Sequence, residues 1–582
     1  MKTISTTLAC ILVLALSAGA TDYTVKAAGG GNFSTISACA AVAVAGDTCT
    51  VYAGSYSGWT QTTSGTAGNP ITFTVNPGDT VDITSEVTVT NTNYITIGAP
   101  DAGGGCANSG RTTGAGGANP TFVVGGCFVF VSAGIQGPTT CSGHHTNYLH
   151  VTYNTSRGWP PHEFLTFQQS WVTGDTSQCG SSDSYIDSTS NNNLIAHNDV
   201  NWYEDWRSGD TFCTNQVTFY GNNNRWEYND MQNTGAQHWL IGGSYNVLRF
   251  NWAHNDDGSR TPLCQNPDPA HIDFFISEGG AAPSLAYSLV EKNVWTGCVN
   301  DSENCKFYYS RANNAVANNT SANVIVRYGY AYNIDGGFGG AGFHTDGTNT
   351  TPNWHAYNNS ISSLVVLEQG AACGNWDSGI ATERNSICYN TNQNTWSPTY
   401  FGQGGGGNGD LAYNTTCTTN CTWNGNGTWY SSEPMYSKLA NQNPLFANYP
   451  TDGTLQTTSP ARNAAAPLTT VSSGCGTNSL TVGDAGFFQP GWGPSNMPVA
   501  GDQIIVGASS TAQITAIDFT NNILTLSTSI SCASGDSVYL YTDTADNVVA
   551  PIGQNSPDIG AFPFISGTSS ISPPTGLAAV VN

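Results

Sequence analysis

The sequence predicts an all-β protein wound as a solenoid, and three observations carry that prediction. Helical periodicity is nearly absent from the 582 residues, apart from a short stretch at Ile36 to Val44. Most of the chain alternates apolar and polar residues in short runs separated by Gly, Asn, Asp and Pro, as strands and turns do. A weak internal repeat then favours a solenoid over a sandwich, a barrel or a propeller.

The repeat is an asparagine near the end of successive alternating segments. Those asparagines are Asn198, Asn229, Asn251, Asn293, Asn358, Asn385 and Asn414, and Tyr328 takes the same place in one further segment. Asn tolerates the left-handed backbone of a turn, and its amide can bond to the Asn one coil away. Chance repetition in an Asn-rich chain is the weaker alternative, because the asparagines coincide with the strand pattern.

The first twenty residues predict export. Lys2 gives a positive start, Leu8 to Leu16 form a short apolar run, and Ala18-Gly19-Ala20 offers a small-residue cleavage site. The run is too short to cross a bilayer, and no later segment is apolar enough. We therefore expect a secreted protein without membrane insertion.

Cysteine usage agrees with export. Of 17 cysteines Cys10 lies in the leader, which leaves an even number for disulfides. The local pairs that we expect are Cys39–Cys49, Cys298–Cys305, Cys373–Cys388 and Cys475–Cys532. A zinc site is the weaker interpretation, because Cys417 and Cys421 have no matching second pair.

The charge restricts the partners. The formal net charge is −24 with only 9% charged residues, which excludes binding of nucleic acid or anionic membranes through a basic patch. An anionic polysaccharide would also be repelled unless a local basic site or a bound cation intervenes.

Both ends of the repeat region resemble right-handed parallel β-helix proteins of the pectate-lyase-like superfamily. The resemblance rests on "DYTVKAAGGGNFSTISACAAVAVAGDTCTVYAGSY" at the start, and on "NPLFANYPTDGTLQTTSPARNAA" and "SPDIGAFPF" at the end. It implies a right-handed parallel β-helix with an N-terminal cap. This fold hosts lyases, hydrolases, epimerases and adhesins, so activity has to be argued from a site.

A segment without the repeat interrupts the closing part. It contains two Gly-Asp turns before alternating strands and a "TNN" hairpin turn, which predicts a small β-barrel or sandwich. We expect it to cap or support the solenoid, with carbohydrate contact as the alternative. The predicted division is a signal peptide at 1–20, a parallel β-helix at 21–466, the insertion at 467–547, a return to the β-helix cap at 548–565 and a flexible tail at 566–582.

The candidate site begins in "PAHIDFFISEGG", residues 269–280. Ile272, Phe274 and Ile276 alternate as a buried face, which leaves His271 and Asp273 for the outer face. The arrangement resembles the alginate and chondroitin lyase branch of the superfamily. That resemblance implies a calcium-binding acidic pair at His271 and Asp273, a proton-abstracting group at Glu278 and a supporting arginine, Arg311, one coil later.

The sequence departs from that branch at two positions, because histidine replaces one carboxylate and glutamate replaces a lysine. Further candidates surround the strand. We expect calcium ligands at Asp273, Asp256 and Asp257, because oxygen ligands suit calcium. The substrate-binding candidates are Trp202, Trp206, Arg207, Arg260 and Lys306.

The expected function is β-elimination on a uronate-containing polysaccharide or surface glycan by a secreted enzyme, with Ca²⁺ as a candidate cofactor. A non-catalytic glycan-binding or structural matrix protein is the main alternative. A glycoside hydrolase using paired carboxylates is the third. Solvated acidic residues on turns need no function at all, and the oligomeric state cannot be derived from the sequence.

Overall fold

The computed structural model describes residues 19–77, 79–84, 87–90, 92–98, 127–131, 149–152, 163–168, 170–175, 182–186, 191–196, 199–203, 215–219, 221–232, 237–257, 265–266, 268–269, 273–278, 285–299, 306–311, 322–334, 343–346, 353–362, 375–376, 381–389, 392–393, 411–413, 416–417, 442–449, 452–495, 498–554, 556–562 and 564. The predicted leader at 1–18 and the tail at 566–582 lie outside these residues.

Three parallel sheets form the body of the protein. Sheet 1 contains Asp22–Val25, Thr48–Val51, Ile71–Val75, Asn93–Ile97, Glu163–Gln168, Leu194–Ala196, Arg225–Glu227, Val247–Arg249, Leu289–Glu291, Ala322–Arg327, Asn353–Tyr357 and Ala381–Arg384. Sheet 2 contains Gly54–Tyr56, Thr80–Ile83, Cys127–Val131, Ser170–Asp175, Asp199–Tyr203, Asp230–Gln232, Trp252–Asp257, Val294–Val299, Tyr330–Ile334, Ser360–Ser362, Ile387–Tyr389 and Leu411–Tyr413. Sheet 3 contains Thr60–Gln61, Val87–Thr90, Leu149–Thr152, Ser182–Ile186, Asn215–Phe219, Gln237–Ile241, Asp273–Glu278, Lys306–Arg311, Phe343–Asp346 and Asn375–Trp376.

From Thr48–Val51 to Ala381–Arg384 the chain visits the three sheets in the order 1, 2, 3 and then 1 again. Val247–Arg249, Trp252–Asp257 and Asp273–Glu278 make one such coil, and Leu289–Glu291 begins the next. Each strand pairs in parallel with the strand one coil away, so the coils stack about 4.8 Å apart. The predicted parallel β-helix is therefore confirmed as the fold.

The N-terminal cap is the short helix Ile36–Ala40. Thr35 caps its first turn by accepting a hydrogen bond from the Ala38 amide. A disulfide joins Cys39 to Cys49, as the sequence predicted, and both cysteines are fully buried against the first strands. The helix thereby closes the exposed end of the solenoid.

One asparagine ladder follows the corner between sheets 1 and 2. Asn229 Nδ2 donates to Asn251 Oδ1 at 2.9 Å, and Asn251 Nδ2 donates to Asn293 Oδ1 at 2.9 Å. On the next two coils Gly329 and Asn359 occupy the ladder position, and Asn359 Oδ1 accepts a hydrogen bond from the backbone N–H of Gly329. These buried amides satisfy backbone groups that a turn would otherwise leave unpaired.

The sequence alignment of this repeat was wrong by one residue at its C-terminal end. Tyr328, Asn358 and Asn385 lie one position before the ladder, where the backbone is left-handed with φ of 55°, 52° and 59°. Both positions favour Asn, one for its backbone tolerance and the other for its amide, so composition alone does not separate them. Asn198 and Asn414 lie outside the described residues.

A second ladder, which the sequence did not reveal, follows the corner between sheets 3 and 1. Asn193 Nδ2 donates to Asn224 Oδ1 at 2.9 Å, and the Asn224 amide donates to Asn246 Oδ1 at 2.8 Å. Ser288 continues the row by accepting from the Asn246 amide. Side-chain ladders thus run along both ends of the sheet 1 strands.

The insertion folds as a closed six-stranded barrel, as the sequence predicted. In barrel order its strands are Thr469–Ser473, Ser479–Val482, Ile523–Leu526, Ser510–Asp518, Gln503–Val506 and Ser537–Thr542. The predicted disulfide Cys475–Cys532 joins two of its loops. Cys305 and Cys373, each half of another predicted pair, lie outside the described residues.

Short pairs of strands complete the described structure. They are Gln265–Asn266 with Asp268–Pro269, Asn392–Gln393 with Thr416–Cys417, and Phe446–Asn448 with Asp452–Leu455. Within the ranges given above, no helix is long and apolar enough to cross a membrane.

Candidate active site

Sheet 3 brings the predicted catalytic positions of two coils together. Asp273–Glu278 pairs in parallel with Lys306–Arg311, and the register places Glu278 opposite Arg311 and Asp273 opposite Lys306. The next strand places Asp346 opposite Arg311. Each of these pairings sets an acidic residue opposite a basic one. Opposed residues of neighbouring strands lie about 5 Å apart at their Cα atoms.

The structure describes one side chain of the strand Asp273–Glu278, that of Phe274. It faces the core, as the alternation predicted. Phe274 is fully buried and packs its ring against Trp295 of sheet 2, with centroids 6.0 Å apart. The strand is therefore anchored in the core of the solenoid. The side chains of Asp273, Glu278, Lys306 and Arg311 lie outside the description, as does all of His271.

The predicted calcium ligands come from two sheets that meet at one corner. Asp256 and Asp257 end the strand Trp252–Asp257 of sheet 2, and Asp273 begins the following strand of sheet 3. The chain thus returns both groups to the corner between these sheets. Among the side chains that the structure describes, no group of three or more His, Cys, Asp or Glu is placed to hold a metal ion.

The substrate-binding candidates are more scattered. Trp202 lies in Asp199–Tyr203 of sheet 2, two strands before Trp252–Asp257 in the sheet order. Two strand spacings correspond to about 10 Å, so Trp202 belongs to a different coil from Asp273. Trp206, Arg207 and Arg260 lie outside the described residues.

The barrel covers the outer face of sheet 1 on several successive coils. Val247, Leu289 and Ile325 are fully buried in one cluster with barrel residues that include Phe487 and Leu524. These apolar side chains stand in register on three successive strands. The insertion therefore supports the solenoid through a continuous apolar seam.

A row of alternating charges runs beside that seam. Glu227, Arg249, Glu291 and Arg327 stand in register on four successive strands of sheet 1. Arg249 Nε contacts Glu227 Oε2 at 2.7 Å, and Arg327 Nε contacts Glu291 Oε1 at 2.8 Å. We call these four residues the charge ladder.

Barrel side chains complete the charge ladder. Asp502 accepts two hydrogen bonds from the Arg327 guanidinium, each at 2.8 Å. Glu291 accepts a hydrogen bond from the Thr544 hydroxyl, and Lys292, next to the ladder, pairs with Asp543. Buried pairs of this kind are costly to separate, because the remaining charge would be left without a partner.

The pKa values reflect this burial. Burial alone would lower the pKa of Arg327, but the carboxylates of Asp502 and Glu291 raise it well above its usual value. Burial opposes ionisation of Asp543 as well, yet the charge of Lys292 holds the pKa of Asp543 below its usual value. These groups are therefore held ionised for structural pairing.

The closing segment covers part of sheet 2 in the same manner. Phe562 packs edge-on against Tyr330, with ring centroids 5.1 Å apart, and Ala561 is buried beside it. The Ala561 amide also donates to Ser360 Oγ at 2.9 Å. The chain itself therefore covers the outer faces of the strands that contain Val247, Leu289 and Ile325 in sheet 1 and Tyr330 and Ser360 in sheet 2.

Comparison with known proteins gives remote likenesses. No family model matches the chain, and no curated protein matches it. The similar solved structures include pectate lyase Pel9A, with 12% identity, 77% of this chain and 92% of that chain covered, and a TM-score of 0.36. A rhamnogalacturonan lyase has 14% identity, coverage of 63% and 87%, and a TM-score of 0.38.

The complex of XylC with xylose has 11% identity, coverage of 94% and 98%, and a TM-score of 0.34. These likenesses are remote, and the fold of this protein follows from its own three parallel sheets.

Proposed function

We propose that this protein is an exported polysaccharide lyase that cleaves a uronate-containing glycan by β-elimination. The observation that supports this most directly is the register of sheet 3, which sets Glu278 opposite Arg311 and Asp273 opposite Lys306. β-Elimination beside a carboxylate uses a general base and a cation that stabilises the developing negative charge, and Glu278 and Arg311 are residues of these two types. The barrel also covers the outer face of sheet 1 on the coils of Val247, Leu289 and Ile325, which favours a glycan site on another face there.

The residues then take the following roles. Glu278 accepts the proton from C5 of the uronate as a general base. Arg311 stabilises the negative charge that develops on the uronate carboxylate. The C4–C5 double bond forms, the C4–O bond breaks, and the leaving oxygen takes a proton from His271.

Lys306 and Arg260 supply positive charge for the substrate. They are needed because a protein with net charge −24 repels a polyanion at long range. Trp202, Trp206 and Arg207 are proposed to contact more distant sugars of the chain. Export is the remaining part of the proposal, and the two described disulfides are compatible with it.

Calcium is proposed as a ligand of Asp273, Asp256 and Asp257. Carboxylate oxygens are its preferred donors, and the strands that carry these residues meet at one corner. When bound, the ion would neutralise the substrate carboxylate. Titration calorimetry with Ca²⁺ tests the site without an activity readout, and unchanged binding heat in Asp273→Asn would contradict it.

The test of activity is incubation of the exported protein with alginate, pectate and chondroitin sulfate, with and without Ca²⁺. We expect the ultraviolet absorbance of an unsaturated product with one of them. Glu278→Gln and Arg311→Ala should remove that absorbance, whereas Arg462→Ala, in the closing segment, should not. Reducing ends without the absorbance would indicate a hydrolase.

A non-catalytic glycan-binding or matrix protein is the second candidate. Two asparagine ladders and a barrel bound through buried charges give a rigid body, which suits a structural role. Binding of a polymer without cleavage under every condition would favour it.

A further inference from the structure

The corner between sheets 3 and 1 carries a row of left-handed residues at or just before the start of the sheet 1 strands. On three coils this residue is an asparagine, at Asn192, Asn223 and Asn323, with φ of 57°, 56° and 55°. On the two coils between Asn223 and Asn323 it is Tyr245 and Tyr287, with φ of 62° and 47°. A bulky residue is unfavourable in this conformation, whereas Asn tolerates it.

Burial accounts for two aromatic residues at the corner between sheets 1 and 2. Phe250 and Tyr328 are also left-handed there, with φ of 55° each, and they are 5% and 3% exposed. Their strain is offset by apolar surface removed from water. Tyr245 receives little such compensation, because it is 41% exposed.

Contacts hold the Tyr245 ring in one orientation. Tyr245 and Tyr287 stack with centroids 5.3 Å apart and planes at 13°, and Tyr287 contacts Phe519 of the barrel at 5.5 Å. The backbone of Tyr245 is fixed as well, since its carbonyl accepts a hydrogen bond from the Gly493 amide of the barrel. One ring face lies against Tyr287, which leaves only the opposite face for a stacking ligand.

The position of Tyr245 connects it with the candidate active site. Sheet 3 strands enter this corner at their C-terminal ends, and Glu278 is the last residue of such a strand. Tyr245 follows Gln237–Ile241, the sheet 3 strand paired with Asp273–Glu278. The Tyr245 ring and the proposed base Glu278 thus lie on neighbouring coils, at or beside the corner between sheets 3 and 1.

We propose that Tyr245 is a sugar-binding subsite, on which a pyranose ring of the glycan stacks by its C–H face. This proposal rests on the proposed function for the identity of the polymer. The neighbouring Asn222 and Ser244 are polar and partly exposed, so the ring stands among hydrogen-bonding groups. A single aromatic ring in a polar rim suits a sugar, because a stable protein interface buries about 800 Å² on each partner.

Tyr245→Asn tests the proposal with the residue that the same corner carries on other coils. The full-length protein is compared with the variant in affinity electrophoresis against alginate, pectate and chondroitin sulfate. We expect binding of the preferred polymer to weaken about fivefold to tenfold, the range of an aromatic stacking contact. The melting temperature should stay equal or rise, because Asn relieves the backbone strain.

Tyr94→Asn is the matched control. Tyr94 has the same left-handed backbone, with φ 56°, and its strand Asn93–Ile97 lies four strands from Val247–Arg249 in sheet 1. We expect it to leave polymer binding unchanged. Equal binding by wild type and Tyr245→Asn would overturn the subsite, as would an equal loss in both variants.

The readouts separate the two proposals. Weaker binding of Tyr245→Asn to a polymer that the wild type binds without cleaving supports the subsite and contradicts the lyase. Cleavage with an unchanged KM in Tyr245→Asn supports the lyase and contradicts the subsite. Absence of wild-type binding to all three polymers overturns the subsite for uronate glycans.

Discussion

Two rows of alternating charges run across the coils, one in sheet 1 and one in sheet 3. The charge ladder of sheet 1 is buried under the barrel, and Arg327 and Glu291 have fully buried side chains. The row Glu278, Arg311 and Asp346 of sheet 3 has the same in-register alternation of sign. Alternating charge on successive coils therefore serves assembly in one place and is proposed to serve chemistry in the other.

The largest expected effect is on stability and belongs to the charge ladder. Arg327→Ala leaves Asp502 and Glu291 buried without their cation, which we expect to cost about 3–5 kcal/mol in the free energy of unfolding. Chemical denaturation measures it. Arg462→Ala is the control, since that guanidinium mainly stacks on Phe564 at 3.9 Å and should cost about 1 kcal/mol.

The counterpart is Arg311→Ala in sheet 3. If the row of sheet 3 is catalytic, lyase activity falls at least about 100-fold, whereas the free energy of unfolding changes by less than about 0.5 kcal/mol. Activity and denaturation are measured on the same preparation. A loss of stability as large as that of Arg327→Ala would make the sheet 3 row structural and contradict the comparison.

Tyr357→Phe sharpens the comparison within the charge ladder. The Tyr357 hydroxyl accepts a hydrogen bond from Arg327 Nη1 at 2.8 Å and is buried. Removing a hydrogen bond to a charged group should cost about 2 kcal/mol, measured by denaturation. Tyr245→Phe at the surface should change stability by less than about 0.5 kcal/mol. Equal effects would mean that the buried bond adds nothing.

The carboxylates of Asp543 and Asp558 should affect the stability of the protein in acid in opposite directions. The pKa of Asp543 lies below its usual value of 3.8, because Lys292 outweighs the effect of burial, so its stabilisation is lost as pH falls below about 3.8. Burial raises the pKa of Asp558, so protonation of Asp558 favours the folded state as pH falls.

Melting temperatures across pH 2–6 measure the difference. Relative to wild type, Asp543→Asn should show a shallower loss of stability in acid, and Asp558→Asn a steeper one. Identical slopes in the two variants would contradict the assigned directions.

Much of the fold could be predicted from local sequence. Alternation in "ITFTV" and its relatives indicates strands, Cys39–Cys49 closes a short loop, and the barrel interrupts the repeat as a segment of different pattern. The phase of the asparagines was harder, because Asn is favourable both at the left-handed position and at the ladder position beside it. The structure separates them by the register of Val294 and Tyr330.

The surroundings of the charges could not be predicted in the same way. Arg327 and Asp502 are 175 residues apart, and only the docking of the barrel on sheet 1 brings them together. Sequence reasoning found the neighbours of Glu278 because coils stack at a fixed spacing. It missed the charge ladder because no local pattern shows which face an inserted domain covers. Tyr245 could have been noticed as a departure from Asn in a corner row, once the second ladder was known.

The barrel has a mechanical consequence for the solenoid. Stacked repeats can fray one at a time from a free end, because each contacts only its neighbours. Here the barrel segment contacts coils that are far apart in the stack. Its Ser495 bonds to Asn192, and its Asp484 bonds to His355. Contacts over this many coils couple them into one cooperative unfolding unit. Unfolding by a pulling force, or before cleavage by a protease, should therefore cross one large free-energy barrier there instead of several small ones.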